Sequence, residues 1–442
     1  MTEKHGRLYD LYLSGRGIAL YHQLFKHSQY WSDEKLIDFQ FNKLKYLLIS
    51  ASQNTLYYRD LFLEINFNPF RDFNEISDIR KIPILTQSNA RQSKDLLVNG
   101  TKLEDAIELS TSGTTGEPFT TYASPEHWIT EQAIVWRHWK WAGYKFRDKM
   151  AILRSYVPQK NKPLWKFDNA RNFLYLSAYH ISESSTSKYV DILKKWKPKF
   201  LRGYPGSLYL LAKFMKAKSL TIKHPAAILT ASEMLLPHYR ETIESVFNAP
   251  VFDWYGMGEP AITLSECPAH KGLHINMEYG LCELIPDSSL PSDHRRIVAT
   301  CLNNDAMPLI RYDTKDIAVI YSNSKCSCGR NLPLIKKILG RSDDFLYGSE
   351  ERILPGVNFY TLFYHYPEII RFQIIQNSLS NIEVRIEHSE DFSETVRLNL
   401  IKDLKDRFGD EIEIDLVENK GFIQVGEGKT PVLLQKVKNI EI

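Results

Sequence analysis

Two short stretches of the chain carry residue types that could do chemistry at a spacing that lets them act together. The first is Leu109-Ser110-Thr111-Ser112-Gly113-Thr114-Thr115-Gly116-Glu117-Pro118-Phe119. Hydroxyls donate to phosphate oxygens, and glycines let backbone N–H groups close around an anion in conformations that other residues resist. That chemistry is phosphate binding, although a Ser/Thr/Gly cluster also serves as a plain surface turn. The stretch lacks the lysine of a P-loop and does not follow the dinucleotide fingerprint. The second stretch is a pair of cysteine-bearing segments, Cys267-Pro268-Ala269-His270-Lys271-Gly272 and Cys326-Ser327-Cys328-Gly329-Arg330. Four N and S ligands, Cys267, His270, Cys326 and Cys328, would close a tetrahedral structural zinc site. His274 could replace His270, and two pairs of ordinary thiols in separate loops are the plain alternative. Cys282 and Cys301 sit in apolar surroundings and read as core thiols.

These residues must be held by a chain of 442 residues, enough for about two to four domains at ~100–200 residues each. The apolar fraction is 43% and the charged fraction 25%, which excludes a disordered chain, a collagen-like fibre and a small disulfide-stapled scaffold. Lys plus Arg number 56 against 53 Asp plus Glu, a formal net charge of +3. So even a balance gives no support for a nucleic-acid coat or a membrane-surface binder. No stretch reaches the ~18–20 apolar residues of a membrane span. Met1 to Arg7 has no apolar run after its charges, so it does not read as a signal peptide. Five cysteines, an odd number at low density, suit a reducing compartment, and the expected location is cytoplasmic. A homodimer is compatible with the sequence, which does not fix the oligomeric state.

The positioning elements follow from apolar periodicity. Leu36, Phe39, Leu44, Leu47 and Leu48 lie at helical spacing over residues 33 to 53, with Asp33 as the expected cap. From about residue 105 to 320, short apolar runs alternate with helical patterns: Met150 to Leu153, Phe200-Leu201, Ala227 to Leu229, Val251-Phe252. That alternation predicts an α/β architecture. The last hundred residues differ. Phe372 to Gln376, Ile382 to Ile386 and Ile412 to Leu416 read as short strands. Val396, Leu400, Leu404 and Phe408 read as a helix that Gly409 can end. A small α+β unit is predicted there, with a boundary near Gly340-Arg341-Ser342-Asp343-Asp344.

Ser112-Gly113-Thr114-Thr115-Gly116 within its stretch resembles the phosphate loop of the adenylate-forming enzymes. Downstream, Thr230-Ala231-Ser232-Glu233 resembles that superfamily's adenine segment, and Tyr255-Gly256-Met257-Gly258-Glu259 its Tyr-Gly-x-x-Glu motif. Arg311-Tyr312-Asp313-Thr314-Lys315-Asp316 resembles its Tyr-x-Thr-Gly-Asp motif, and Gly340 to Asp344 its Gly-Arg-x-Asp hinge. The five stand in the family's order between about residues 110 and 344. The resemblance is closest to the phenylacetate–CoA ligase and CapK-like branch, which Asn54 to Asp60, Pro83-Ile84-Leu85-Thr86 and Gly203-Tyr204-Pro205-Gly206 also resemble. It covers nearly the whole chain.

The resemblance implies a large multi-layer α/β adenylation domain over residues 1–342 and a small mobile α+β domain over 343–442. It implies attack of a carboxylate on the α-phosphate of ATP, with cations and backbone donors aimed at the developing charge. Ser112, Gly113, Thr114, Thr115 and Gly116 would hold the phosphates, with Thr115 catalytic. Tyr255 and Gly256 would line the adenine pocket and Ser232-Glu233 would border it. Glu259 would hold Mg²⁺, a hard cation that usually takes one or two protein carboxylates. Asp316 would bind the ribose; Lys315 stands where Gly is common, and Asp313 competes for the role. Arg341 would contact ribose or phosphate, and Asp343 would mark the hinge between two half-reactions. Lys429, in Gly426-Glu427-Gly428-Lys429-Thr430-Pro431, would be the lysine that bridges the acid and the α-phosphate.

The resulting expectation is an ATP-dependent carboxylate ligase using ATP, Mg²⁺ and a structural Zn²⁺. Its expected partners are a small carboxylic acid and CoA as acyl acceptor. An aromatic acid is favoured by the branch and by Tyr204 and the Trp136, Trp139 and Trp141 cluster. One alternative is the same adenylation with transfer to a sugar, an amine or a carrier-protein thiol in surface polysaccharide or secondary-metabolite biosynthesis. A non-catalytic scaffold that kept the fold and its zinc site is a remote one.

Overall fold

A computed structural model describes residues 7–111, 119–154, 156, 158–159, 162–178, 180–288, 290–321, 325–341, 345–349, 353–355, 359, 362–363, 365–423 and 431–437. The described residues divide into two compact units, one ending at Leu339 and one beginning at Gly340.

In the first unit, β1 (Ile107–Thr111) and β2 (Phe119–Ala123) form an antiparallel hairpin in which Thr111 pairs with Phe119. A twelve-stranded sheet dominates the rest. Its strands are β3 (Met150–Arg154), β4 (Trp165–Asp168), β5 (Phe173–Ser177), β6 (Phe200–Gly203), β7 (Ala227–Ala231) and β8 (Val251–Gly256), then β9 (Thr263–Glu266), β10 (Leu273–Ile275), β11 (Gly280–Ile285), β12 (His294–Cys301), β13 (Tyr312–Ile320) and β14 (Leu334–Arg341). The order is β11-β12-β13-β14-β10-β9-β8-β7-β6-β3-β5-β4. Strands β5, β3, β6, β7 and β8 run parallel. From β8 to β10 and from β11 to β13 the pairings are antiparallel.

The apolar runs of the parallel strands are explained by burial on both faces. Ala151, Leu153, Leu201, Ile228 and Val251 pack under the helices Thr186–Trp196, Pro205–Ala217 and Pro237–Phe247. The alternate residues Met150, Ile152, Phe200, Leu229 and Phe252 pack against Ala133, Ile134 and Trp136 of the helix Pro125–Trp141. The side-chain period of two thus supplies two separate cores from one sheet. A Cβ on Gly203 would stand 2.8 Å from the Leu153 carbonyl oxygen, so the strand end before Tyr204 admits only glycine.

A third core joins the N-terminal helices to the antiparallel half. Leu44, Leu47, Leu48 and Tyr58 meet Met307, Leu309, Ile310 and Tyr312 there. The helix predicted over 33–53 runs Asp33–Asn54, but Ser32 caps it in place of Asp33. Ser32 has the extended backbone a cap needs and its hydroxyl accepts from the Lys35 N–H, while Asp33 sits in the first turn, where a negative charge suits the helix dipole.

In the second unit, β15 (Phe345–Tyr347) pairs with β16 (Ile353–Pro355). A four-stranded sheet holds β17 (Ile369–Gln376), β18 (Asn381–His388), β19 (Glu413–Glu418) and β20 (Leu433–Gln435) in the order β19-β18-β17-β20. The helix Glu394–Phe408 buries Leu400, Leu404 and Phe408 against Ile374, Ile382, Val384 and Ile386. It stops at Gly409, whose φ of 110° suits glycine. The small α+β fold read from the sequence is the one formed. No helix among the described residues is long and apolar enough to cross a membrane.

Candidate active site

Ligands of open α/β sheets bind outside the carboxyl ends of the parallel strands. Four of the expected residues stand at or just beyond those ends. Ser232 and Glu233 follow β7, and Tyr255 and Gly256 close β8 next to it. The Ser232 backbone is left-handed, with φ 75°, and its hydroxyl accepts from Arg154 Nη2 at 2.5 Å. The Glu233 carboxylate accepts from the Gly206 N–H at 3.1 Å. One glutamate therefore ties the turn after β7 to the Gly203-Tyr204-Pro205-Gly206 turn.

Across the sheet, Tyr255 donates its hydroxyl proton to Asp316 Oδ2 at 2.5 Å. Burial, then the Asp316 charge, pushes the Tyr255 hydroxyl well above its ordinary pKa, so it stays protonated and a donor. Asp316 is positioned by the Thr314 hydroxyl, which accepts from its N–H at 3.0 Å and donates to the Ile297 carbonyl at 2.8 Å. Lys315 between them has φ 65°, within a bulge of β13 where Thr314, Lys315 and Asp316 stand opposite Ile297 alone of β12. A left-handed residue at a β-bulge explains the departure noted at this position: the site suits glycine, and here lysine adopts the same conformation. Asp313, the competing aspartate, is buried and held by Arg296 Nη2 at 2.7 Å and Lys315 Nζ at 3.5 Å.

Glu259 is 4% exposed and lies within electrostatic reach of Tyr255. Its Oε1 accepts from the Tyr312 hydroxyl at 3.1 Å, and Oε2 has no partner among the described residues. A buried carboxylate with one oxygen available fits a magnesium ion that draws its other ligands from phosphate and water. On β8, Asp253 accepts from the Thr230 hydroxyl of β7 at 2.6 Å. Burial pushes the Asp253 carboxyl up to about 7.

Several expected residues fall elsewhere. Ser112, Gly113, Thr114, Thr115 and Gly116, the hinge residue Asp343 and Lys429 lie outside the described residues. Arg341 ends β14.

The sulfur ligands do converge, but with a different histidine. Cys267, His274, Cys326 and Cys328 place their ligand atoms within 4.8 Å of one another. Cys267 Sγ is 3.6 Å from Cys326 Sγ, and Cys328 Sγ is 3.4 Å from His274 Nε2. His274 Nδ1 faces the Leu332 carbonyl at 2.8 Å, which sets the tautomer that leaves Nε2 free to ligate. The expected His270 is not in the group. The turn after Cys267 carries it in a left-handed conformation, φ 50°, to Glu266 Oε1 at 3.1 Å and against the Phe252 ring. The turn continues through Gly272, where a Cβ would stand 2.1 Å from the Ile335 carbonyl oxygen, and β10 then brings His274 back to the cysteines.

Sequence reasoning missed a polar set on the buried side of the helix Pro125–Trp141. His127, Glu131 and His138 recur at spacings of four and seven, which places them on one face. Tyr279 donates to Glu131 at 3.1 Å and meets His127 Nε2 at 3.0 Å. Burial pushes His138 down to about 3, so it is neutral. It also missed Arg137, 1% exposed and paired with Glu278 at 2.6 Å. The spacing of His127, Glu131 and His138 was the available signal.

A profile of the CapK C-terminal domain matches residues 346–426. Protein CapK of Staphylococcus aureus is 27% identical over 341 residues, 76% of this chain and 75% of that protein. Phenylacetate-coenzyme A ligase of Escherichia coli (strain K12) is 24% identical over 425 residues, 90% of this chain and 94% of that one. These similarities support a likeness to the adenylate-forming superfamily, in its phenylacetate–CoA ligase and CapK-like branch. A solved 2-hydroxyisobutyryl-CoA ligase in the postadenylation state, in complex with R3-HIB-AMP, shares the fold. Its TM-score is 0.70 at 16% identity, over 92% of this chain and 91% of that one. The α/β core and small C-terminal unit of this chain match that architecture.

Proposed function

We propose that this chain is an AMP-forming acid–thiol ligase. A carboxylate oxygen of the acid attacks the α-phosphorus of ATP and pyrophosphate leaves, giving an acyl-adenylate. The sulfur of CoA then attacks the acyl carbonyl, losing its proton to solvent, and AMP leaves with the bonding pair. The observation that carries this reading is the meeting of Tyr255, Asp316 and Glu259 beside the ends of the parallel strands, in a chain whose relatives include phenylacetate-coenzyme A ligases.

In this reading Asp316 accepts from the ribose hydroxyls. Tyr255 and Gly256 line the adenine pocket, and Ser232 with Glu233 borders it. Glu259 would hold Mg²⁺, which supplies positive charge to the polyphosphate. Ser112 to Gly116 hold the phosphates, with Arg341 assisting and Asp343 as hinge. Lys429 bridges carboxylate and α-phosphate. The domain boundary at 342/343 belongs to the same proposal. Cys267, His274, Cys326 and Cys328 would hold a structural zinc, because four closed N and S ligands leave no open position for catalysis. An aromatic acid remains the favoured substrate, on the strength of the relatives' names and of Tyr204.

Transfer to a sugar, an amine or a carrier-protein thiol is the second reading, favoured by the CapK match in the C-terminal unit. Pyrophosphate release from ATP and Mg²⁺ over a panel of aryl, fatty and amino acids, with hydroxylamine as general acceptor, tests adenylation. Acyl-CoA formed on adding CoA supports the first acceptor. Hydroxamate without acyl-CoA supports the second. ATP binding with no pyrophosphate release overturns both.

A further inference from the structure

The proposed ligase has a feature that adenylation of a plain monocarboxylic acid does not use. Two arginines stand at the carboxyl ends of neighbouring parallel strands. Ile152 pairs with both Arg202 and Tyr175, and Arg154 lies two residues beyond Ile152. Arg154, Arg202 and Tyr175 therefore share the sheet face covered by the helix Pro125–Trp141. Arg202 is partly buried, with its guanidinium over the Trp139 ring at 5.3 Å. Arg154 lies over Tyr204 at 4.8 Å and donates to Ser232, which borders the adenine pocket of the proposed site.

Neither arginine has an acidic partner among the described residues, and Arg202 makes no hydrogen bond there. Glu131 is within electrostatic reach of Arg202, but it is held by the Tyr279 hydroxyl and by His127. Burial and the neighbouring Arg154 charge both disfavour the ionised Arg202. His138, 2% exposed, presents a buried Nε2 with no partner among the described residues, close enough to feel the Arg202 charge. Buried arginines are normally paired, because an unpaired buried charge is costly. A planar guanidinium suits a carboxylate or phosphate, which it grips through two N–H groups.

We propose that Arg202 and Arg154 form an anion subsite in the acid pocket, so that the acid adenylated by this chain carries a second negatively charged group, such as a distal carboxylate. The reacting carboxylate goes to the ATP side, and the distal anion lies between the two guanidinium groups, against Trp139 and Tyr175. This rests on the ligase reading.

The test compares matched acids that differ only in the distal group: phenylacetate with 4-carboxyphenylacetate, and pentanoate with glutarate. Pyrophosphate release should show kcat/KM at least tenfold higher for each diacid. Arg202→Gln should collapse that ratio towards one, and Arg202→Lys should restore part of it. Equal turnover of the members of each pair by the wild type overturns the proposal. So does an Arg202→Gln variant that loses both members by the same factor, since the arginine would then serve the reacting carboxylate. If no acid releases pyrophosphate, the ligase reading fails, and calorimetry of glutarate against pentanoate on the full chain decides the subsite by itself. Tighter glutarate binding that Arg202→Gln abolishes sustains it, and equal binding ends it.

Discussion

At the residue scale, the candidate site is a set of carboxylates with opposed environments. Asp316 accepts from Tyr255, and Glu259 keeps one oxygen open. Tyr255→Phe keeps the ring and removes one charge-assisted hydrogen bond, worth about 1.5–3 kcal/mol. The expected outcome is a KM for ATP raised roughly tenfold or more, read from pyrophosphate release at saturating acid. Asp253 behaves differently, because burial raises its carboxyl to about 7. The folded state then binds a proton that the unfolded state has released, from about pH 4 to about pH 7. Its contribution is full below the unfolded value and lost as pH rises through the folded one. Asp253→Asn removes that loss. Denaturant midpoints should show the variant gaining stability relative to wild type at pH 8 and gaining least at pH 4.

At the element scale, the proposed zinc ligands come from the turn after β9, from β10 and from the segment before β14. These are short pieces with little core of their own, and the proposed metal would hold them together. Protein purified without a polyhistidine tag should contain about one zinc per chain. Cys328→Ser should lose the metal and lower Tm, whereas His270→Ala should keep it. Metal retained by the first variant, or lost by the second, would contradict the assignment of His274. The same scale explains why Lys315 departs from glycine without loss of the motif. The bulge in β13 puts Lys315 in a left-handed conformation, and the Asp313 side chain accepts from the Lys315 N–H at 3.1 Å.

At the scale of the whole molecule, the two units have separate cores, and the proposed lysine belongs to the second. If Lys429 bridges the acid and the α-phosphate, Lys429→Ala should abolish pyrophosphate release while ATP binding persists. Unchanged release would remove Lys429 from the mechanism. Phe408→Ala probes the second unit's core, where a buried aromatic truncation costs about 3–5 kcal/mol. That variant should unfold at lower denaturant while the Tyr255–Asp316 pair, in the first unit, still binds ATP.

The sequence by itself determined what local pattern determines. Apolar runs bounded by turns placed β3, β6, β7 and β8, and the four-residue spacing from Val396 to Phe408 placed the C-terminal helix. Contiguous motifs carried the family, because their residues act from one turn. Tertiary structure decided whatever depends on which strands become neighbours. It put His274, not His270, with the cysteines, because a left-handed turn through His270 sends that ring to Glu266. It tied Asp313 to Arg296 and left Asp316 to Tyr255. It brought Arg154 and Arg202, 48 residues apart in the chain, onto one sheet face through the register of β3 and β6. Register is set by pairing over the whole sheet, so no spacing within the sequence could reveal it.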